Sequence, residues 1–220
     1  MNTTVIVVEP LDSSMELVRL IKNSSCEEVM ELEMFKNMEK IIVQEKSQRF
    51  GEGKKYAVTD KSSNIEHYEI NQDTPCQFSL RTIKEKRKLV NFDIPSRTSC
   101  ICPCDMACTL RSHVTLLPGT FIGHVEQTLK WGQPYFNIYD SSGECILAMD
   151  ASFTMMFFSI GRHKVTDAND LEVGSILVEY STSEGFHSIY ITFNKDLSIA
   201  TKLTILGAGL MFSNAQASRV

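Results

Sequence analysis

The chain reads as mainly β: a closed antiparallel β-barrel around a hydrophobic C-terminal helix, preceded by short N-terminal helices. Two observations lead there. Past residue 54, short segments rich in β-branched and aromatic residues recur, each bounded by Gly, Pro, Asn, Asp or Ser, and many short strands at such spacing build a barrel or a sandwich. Near the end, Ile199-Ala-Thr-Lys-Leu-Thr-Ile-Leu-Gly-Ala-Gly-Leu-Met-Phe212 is apolar on all sides and carries one charge, Lys202. As a helix this run rises roughly 21 Å at 1.5 Å per residue. A bilayer core needs about 30 Å, and the polar tail beginning at Ser213 follows at once. A helix of this kind is most simply buried in a core, and a barrel closed around it satisfies both observations.

The elements follow in order. Ser13-Ser-Met-Glu16 has capping-box form and leads into Leu17, Val18, Leu20 and Ile21, which predicts a short amphipathic helix over 14–22. Ser24 and Ser25 with Glu27 and Glu28 open a second helical stretch. There Met30, Met34, Phe35 and Met38 recur at helical spacing and are expected to fill core. Strands are predicted at Lys55–Val58, Gln77–Ile83, Leu89–Phe92, Leu110–Leu117, Phe121–Leu129 and Tyr135–Tyr139, then at Cys145–Met149, Met155–Ile160, Ser175–Tyr180 and Ile189–Phe193. The clearest hairpin joins Tyr135–Tyr139 to Cys145–Met149 through Asp140-Ser-Ser-Gly143. Pro118-Gly119 makes another tight turn. Lys84-Glu-Lys-Arg-Lys88 reads as a solvated turn between strands that could also meet anionic headgroups.

Composition fits one unit. With 220 residues, 43% of them hydrophobic and 22% charged, the chain can bury a substantial core. No repeat, low-complexity tract or linker divides it, so residues 1–12 are expected to be a flexible N-terminus and 13–220 a single domain. A net charge of −5 argues against a general nucleic-acid binder.

The densest chemistry lies in Ser99-Cys-Ile-Cys-Pro-Cys-Asp-Met-Ala-Cys108, with four of the seven cysteines. Structural zinc takes paired ligands at C-x2-4-C spacing with a second pair further on. Here the cysteines alternate with single spacers, and His67, His113, His124, His163 and His187 are scattered. Disulfides are disfavoured by the odd total and because Val5-Ile-Val-Val8 is too short and uncharged to act as a secretory signal. A reduced, cytosolic setting is expected, where exposed thiols beside a membrane-facing surface are S-acylation candidates and a loop with idle thiols is the bland alternative. No G-x-S-x-G, P-loop, strand-borne G-x-G-x-x-G or H-E-x-x-H occurs. A Cys108 nucleophile with His113 or His124 needs a proximity that spacing does not supply, so no enzyme is expected.

Five blocks in register carry a resemblance: Phe78-Ser-Leu-Arg81, Cys100-Ile-Cys-Pro-Cys104, Pro118-Gly-Thr-Phe-Ile-Gly-His-Val-Glu-Gln-Thr128, Phe136-Asn-Ile138, and Asp196-Leu-Ser-Ile-Ala-Thr-Lys-Leu-Thr-Ile-Leu-Gly-Ala208. Over residues 40 to 212 the chain resembles the phospholipid scramblase family. The resemblance implies the related tubby-like fold, a closed barrel around a hydrophobic helix. It implies a protein on the cytoplasmic face of a membrane, the plasma membrane first, with phospholipids and anionic headgroups as partners. Its implied activity is energy-independent, calcium-stimulated, bidirectional movement of phospholipids between leaflets. It further implies palmitoylation of Cys100, Cys102 and Cys104, and a core or membrane helix containing Leu203, Ile205, Leu206, Leu210 and Met211. The family's Asp-rich calcium stretch is depleted here: Ser198 replaces an acidic residue, leaving Glu184 and Asp196 as a weak Ca2+ site. The segment that imports some members into the nucleus is replaced by Gly174-Ser-Ile-Leu-Val-Glu-Tyr180. A rival function is an acylated lipid-binding scaffold that moves no lipid.

Overall fold

The computed structural model describes residues 26–46, 53–94, 110–130, 133–150, 162–181 and 186–217. Helix α1 (Cys26–Asn37) leads into β1 (Lys40–Glu45), β2 (Lys55–Asp60), β3 (Ile65–Thr74), β4 (Gln77–Thr82), β5 (Lys88–Asp93) and β6 (Leu110–Leu116). Then come β7 (Thr120–Lys130), β8 (Gln133–Asp140), β9 (Cys145–Asp150), β10 (Arg162–Thr166), β11 (Glu172–Ser181), β12 (Phe186–Phe193) and helix α2 (Ile199–Ala217). Every strand pairs antiparallel with its sequence neighbours, and β1 closes the barrel on β12 with Ile41 opposite Ile191 and Val43 opposite Ile189.

Alternation drives the closure. In β6 the side chains of Leu110, Ser112, Val114 and Leu116 are buried, while Arg111 and His113 point outward. Strand side chains alternate faces with period two, so twelve such strands give an apolar lumen and a polar outer wall. A transmembrane barrel has the reverse arrangement, an apolar outer band around a polar lumen.

Helix α2 fills the lumen. Leu203, Ile205, Leu206, Ala208, Leu210, Met211 and Phe212 are all buried within the barrel. Ser198 caps its start: the hydroxyl accepts the Thr201 N–H at 3.1 Å, and the Ser198 carbonyl accepts the Lys202 N–H at 3.0 Å. Gly207 and Gly209 let opposite walls close on the helix. A Cβ at Gly207 would stand 3.1 Å from Val114 Cγ2, and one at Gly209 would stand 3.1 Å from Ile191 Cδ1. At the far end Phe212 meets Phe136 and the edge of His163. The helix runs five residues beyond the predicted stop at Phe212, and Ser213 is still buried.

The single charge of α2 has a structural task. Lys202 is wholly buried, and its ammonium donates to the Lys36 carbonyl at 2.6 Å and the Met38 carbonyl at 3.0 Å. These lie at the C-terminal end of α1, where carbonyls lack helical partners. Lys202 therefore ties α1 to the plug. Phe35 packs against Tyr68 and Phe193, and Tyr68 Oη donates to the Glu31 carbonyl at 2.6 Å.

Two expectations change. Strands β1, β3 and β10 are additions to the predicted set. Met34 is 48% exposed rather than core, while Phe35 and Met38 are buried. The predicted helix over 14–22 and the predicted strand Met155–Ile160 lie outside the described residues.

Candidate functional site

Up-and-down topology gives the barrel two distinct rims. Strand β5 ends and β6 begins on the first rim, and the connections 47–52, 95–109, 131–132, 151–161 and 182–185 all join strands there. The opposite rim carries the hairpin turns after β2, β4, β6, β8 and β10 and the entry of α2. Cys100, Cys102 and Cys104 lie outside the described residues, but their segment leaves from β5 and returns to β6, so it is tethered at both ends to the first rim. Within that rim Ile94 donates to the Cys76 carbonyl at 2.7 Å, pinning the departing chain to the β3–β4 turn.

A recess of about 340 Å³ opens beside this tether, lined by Thr74, Cys76, Gln77, Asp93, Arg111 and His113. Asp93 and His113 face each other across β5 and β6. Gln77 Nε2 donates to Asp93 Oδ1 at 3.0 Å, and Arg111 meets Glu126 at 3.4 Å. Cys76 is a free, exposed thiol. On the adjoining wall His113 and His124 are direct cross-strand partners, and His124 stacks flat on Tyr139 with ring centres 4.4 Å apart. Burial first, and then the neighbouring Arg111 and His113, pull the His124 imidazole below its ordinary value. Asp73, near the recess, is pushed up by burial, but hydrogen bonds from Lys88 and Ser79 and the Arg81 charge outweigh this and hold it below the carboxylate range.

Of the two calcium candidates, Glu184 lies outside the described residues, and Asp196 is exposed in the turn after β12 at the opposite rim. Ser198 is committed to capping α2. Among the described residues no group of three or more His, Cys, Asp or Glu side chains could hold a metal ion.

The Lys84–Lys88 turn sits on the opposite rim, where Lys86 pairs with Glu69 at 2.6 Å, while Lys88 pairs with Asp73 at 2.9 Å. No helix among the described residues is long and apolar enough to cross a membrane. The recess was not foreseen from sequence, because the ends of four strands, β3 to β6, contribute to it.

The described residues form a closed antiparallel barrel plugged by its own C-terminal helix. The chain belongs to the scramblase family, whose model matches residues 32–215. That family is not one of enzymes, and membership associates the chain with phospholipid membranes. Its structure is similar to the X-ray structure of a protein from Arabidopsis thaliana, with 11% sequence identity, a TM-score of 0.46, and coverage of 80% of this chain and 92% of that one. No curated protein matches the chain.

Proposed function

We propose that this protein works at the cytoplasmic face of a membrane, the plasma membrane first, held by acyl chains on Cys100, Cys102 and Cys104. In this reading it moves phospholipids between leaflets without an energy source. One observation carries it: the cysteine segment is tethered at both ends to a single rim of the barrel. Acylation there sets that rim against the bilayer, and two or more chains give stable attachment where one gives marginal residence. The connection between Asp150 and Arg162 meets the same rim, and its sequence Ala151-Ser-Phe-Thr-Met-Met-Phe-Phe-Ser-Ile-Gly161 carries no charge. An uncharged, aromatic sequence at an acylated rim suits a lipid interface.

The packed lumen favours a second reading. Leu203, Ile205, Leu206 and Ala208 are fully buried against the wall, which leaves no polar route through the barrel. A headgroup crossing hydrocarbon needs a polar path or a thinned bilayer. Transport therefore runs along the outer wall or through bilayer distortion at the rim. If neither operates, the protein is an acylated scaffold that binds lipid and moves none.

Purified acylated protein in proteoliposomes, assayed with fluorescent phospholipid and a membrane-impermeant quencher, separates the two. Quenching beyond the outer-leaflet fraction supports transport. Quenching equal to that of protein-free vesicles supports the scaffold. The activity is expected to be indifferent to micromolar calcium, since Ser198 in place of an acidic residue leaves too few carboxylates for a sensor-grade site.

A further inference from the structure

The recess beside the cysteine tether pairs opposite charges within one small volume. Asp93 contributes a carboxylate whose Oδ1 accepts from Gln77 at 3.0 Å, and its other oxygen has no hydrogen-bond partner among the described residues. Arg111 contributes a half-exposed guanidinium whose contact with Glu126, at 3.4 Å, is longer than the 2.7–2.9 Å of a charge-assisted hydrogen bond. A guanidinium has five N–H donors in a planar fork suited to phosphate, so Arg111 keeps donors for a ligand. His113 and Gln77 add polar edges to a recess of about 340 Å³ that lies open to solvent.

We propose that this recess binds the headgroup of a phospholipid bearing a primary ammonium, with its phosphate against Arg111 and its ammonium against Asp93. The inference rests on the membrane reading above and names the lipid class. A zwitterion satisfies both charges at once. A purely anionic headgroup would meet Asp93 and Glu126 as well as Arg111, so net negative charge does not explain the arrangement. A choline headgroup offers no N–H to the Asp93 carboxylate, whereas ethanolamine and serine headgroups do. Location agrees with chemistry: the chain leaves the wall just past Asp93 and re-enters at Leu110, next to Arg111. Acyl chains on the intervening cysteines therefore bring the recess to headgroup depth.

The test uses full-length protein freed of acyl chains by hydroxylamine, so that anchoring does not mask recognition. Flotation compares vesicles of phosphatidylcholine alone with equal mixtures of phosphatidylcholine and either phosphatidylethanolamine or phosphatidylglycerol. The expected result is preferential binding to the ethanolamine mixture. Arg111→Gln should weaken that binding roughly tenfold, the equivalent of about one charge-assisted hydrogen bond, and Arg111→Lys should recover part of it. Asp93→Asn should reduce the ethanolamine mixture to the level of phosphatidylcholine. Both positions are exposed, so unchanged melting temperatures are expected to accompany these losses. Soluble phosphoethanolamine should compete, and inorganic phosphate should compete less. Equal binding to all three vesicles, a preference for phosphatidylglycerol, or an ethanolamine preference intact in both variants would overturn the proposal. So would binding of soluble phosphoethanolamine that ethanolamine vesicles fail to displace, which would point to a free metabolite. Transport is a separate readout: a protein that scrambles lipid without headgroup preference refutes this site alone, and a selective binder that scrambles nothing refutes transport alone.

Discussion

Replacing Lys202 by Met removes the ammonium that joins the two helices and keeps most of the apolar stem. The wild-type group donates to the Lys36 and Met38 carbonyls at 2.6 and 3.0 Å and lies 5.8 Å from the Phe193 ring centre. Leaving two buried carbonyls unpartnered costs about 1–3 kcal/mol each. Methionine also avoids burying a charge, which returns part of that cost. The favourable interaction of a cation with the C-terminal end of α1 is lost as well, on the order of 0.3–1 kcal/mol. The net expectation is a destabilisation of about 2–4 kcal/mol, with α1 loosened before the barrel opens. Urea unfolding followed by tryptophan fluorescence and far-UV circular dichroism measures the midpoint, and hydrogen exchange reports on amides 30–38. A change under about 0.5 kcal/mol, or exchange in α1 no faster than in wild type, would refute the clamp and mean that the carbonyls find water at no cost.

Further outcomes follow from the same geometry. Replacing Cys100, Cys102 and Cys104 together by Ser should move the protein from membrane to soluble fractions, and a triple variant that still sediments wholly with membranes would remove acylation as the anchor. His163 is buried, its Nδ1 lies 3.3 Å from the Asp150 carbonyl, and burial pulls its imidazole below the ordinary value. With the folded value depressed, the unfolded chain takes up a proton that the fold refuses. Stability should therefore fall as pH drops below the ordinary histidine value of about 6.5, at up to roughly 1.4 kcal/mol per pH unit. His163→Leu should flatten that part of the denaturation-versus-pH curve, and an unaltered slope would assign it elsewhere. Calorimetric titration of calcium should show no low-micromolar binding, and micromolar binding lost on Asp196→Ala would contradict the reading of a depleted site.

The barrel was legible because three independent signals agreed. Short segments rich in β-branched and aromatic residues gave the strands, turn chemistry at Pro118-Gly119 and Asp140–Gly143 fixed two hairpins, and an apolar run too short to span needed a wall around it. Strands β3 and β10 escaped because their outward faces are charged. Ile65–Thr74 buries Tyr68 and Ile70 among Glu66, Glu69 and Asp73, and Arg162–Thr166 buries only His163 and Val165. Met34 has helical spacing but lies on the outer side of α1, a distinction that needs the position of the partner. Lys202 showed as the lone charge of an apolar run, yet its acceptors lie more than 160 positions earlier. The recess drew on the β3–β4 turn, β5 and β6, whose ends converge only once the barrel closes.

The central claim is that the rim bearing the cysteine tether is the face that meets the bilayer. It is tested most directly by attaching an environment-sensitive fluorophore to a cysteine placed at Thr74 on that rim or at Asn169 on the opposite rim. Each form is prepared with Cys26, Cys76, Cys108 and Cys145 replaced by Ser and with Cys100, Cys102 and Cys104 intact. On vesicles containing nitroxide-labelled lipid, the account predicts strong quenching at position 74 and little at position 169. Equal quenching at both positions, or stronger quenching at 169, would contradict it.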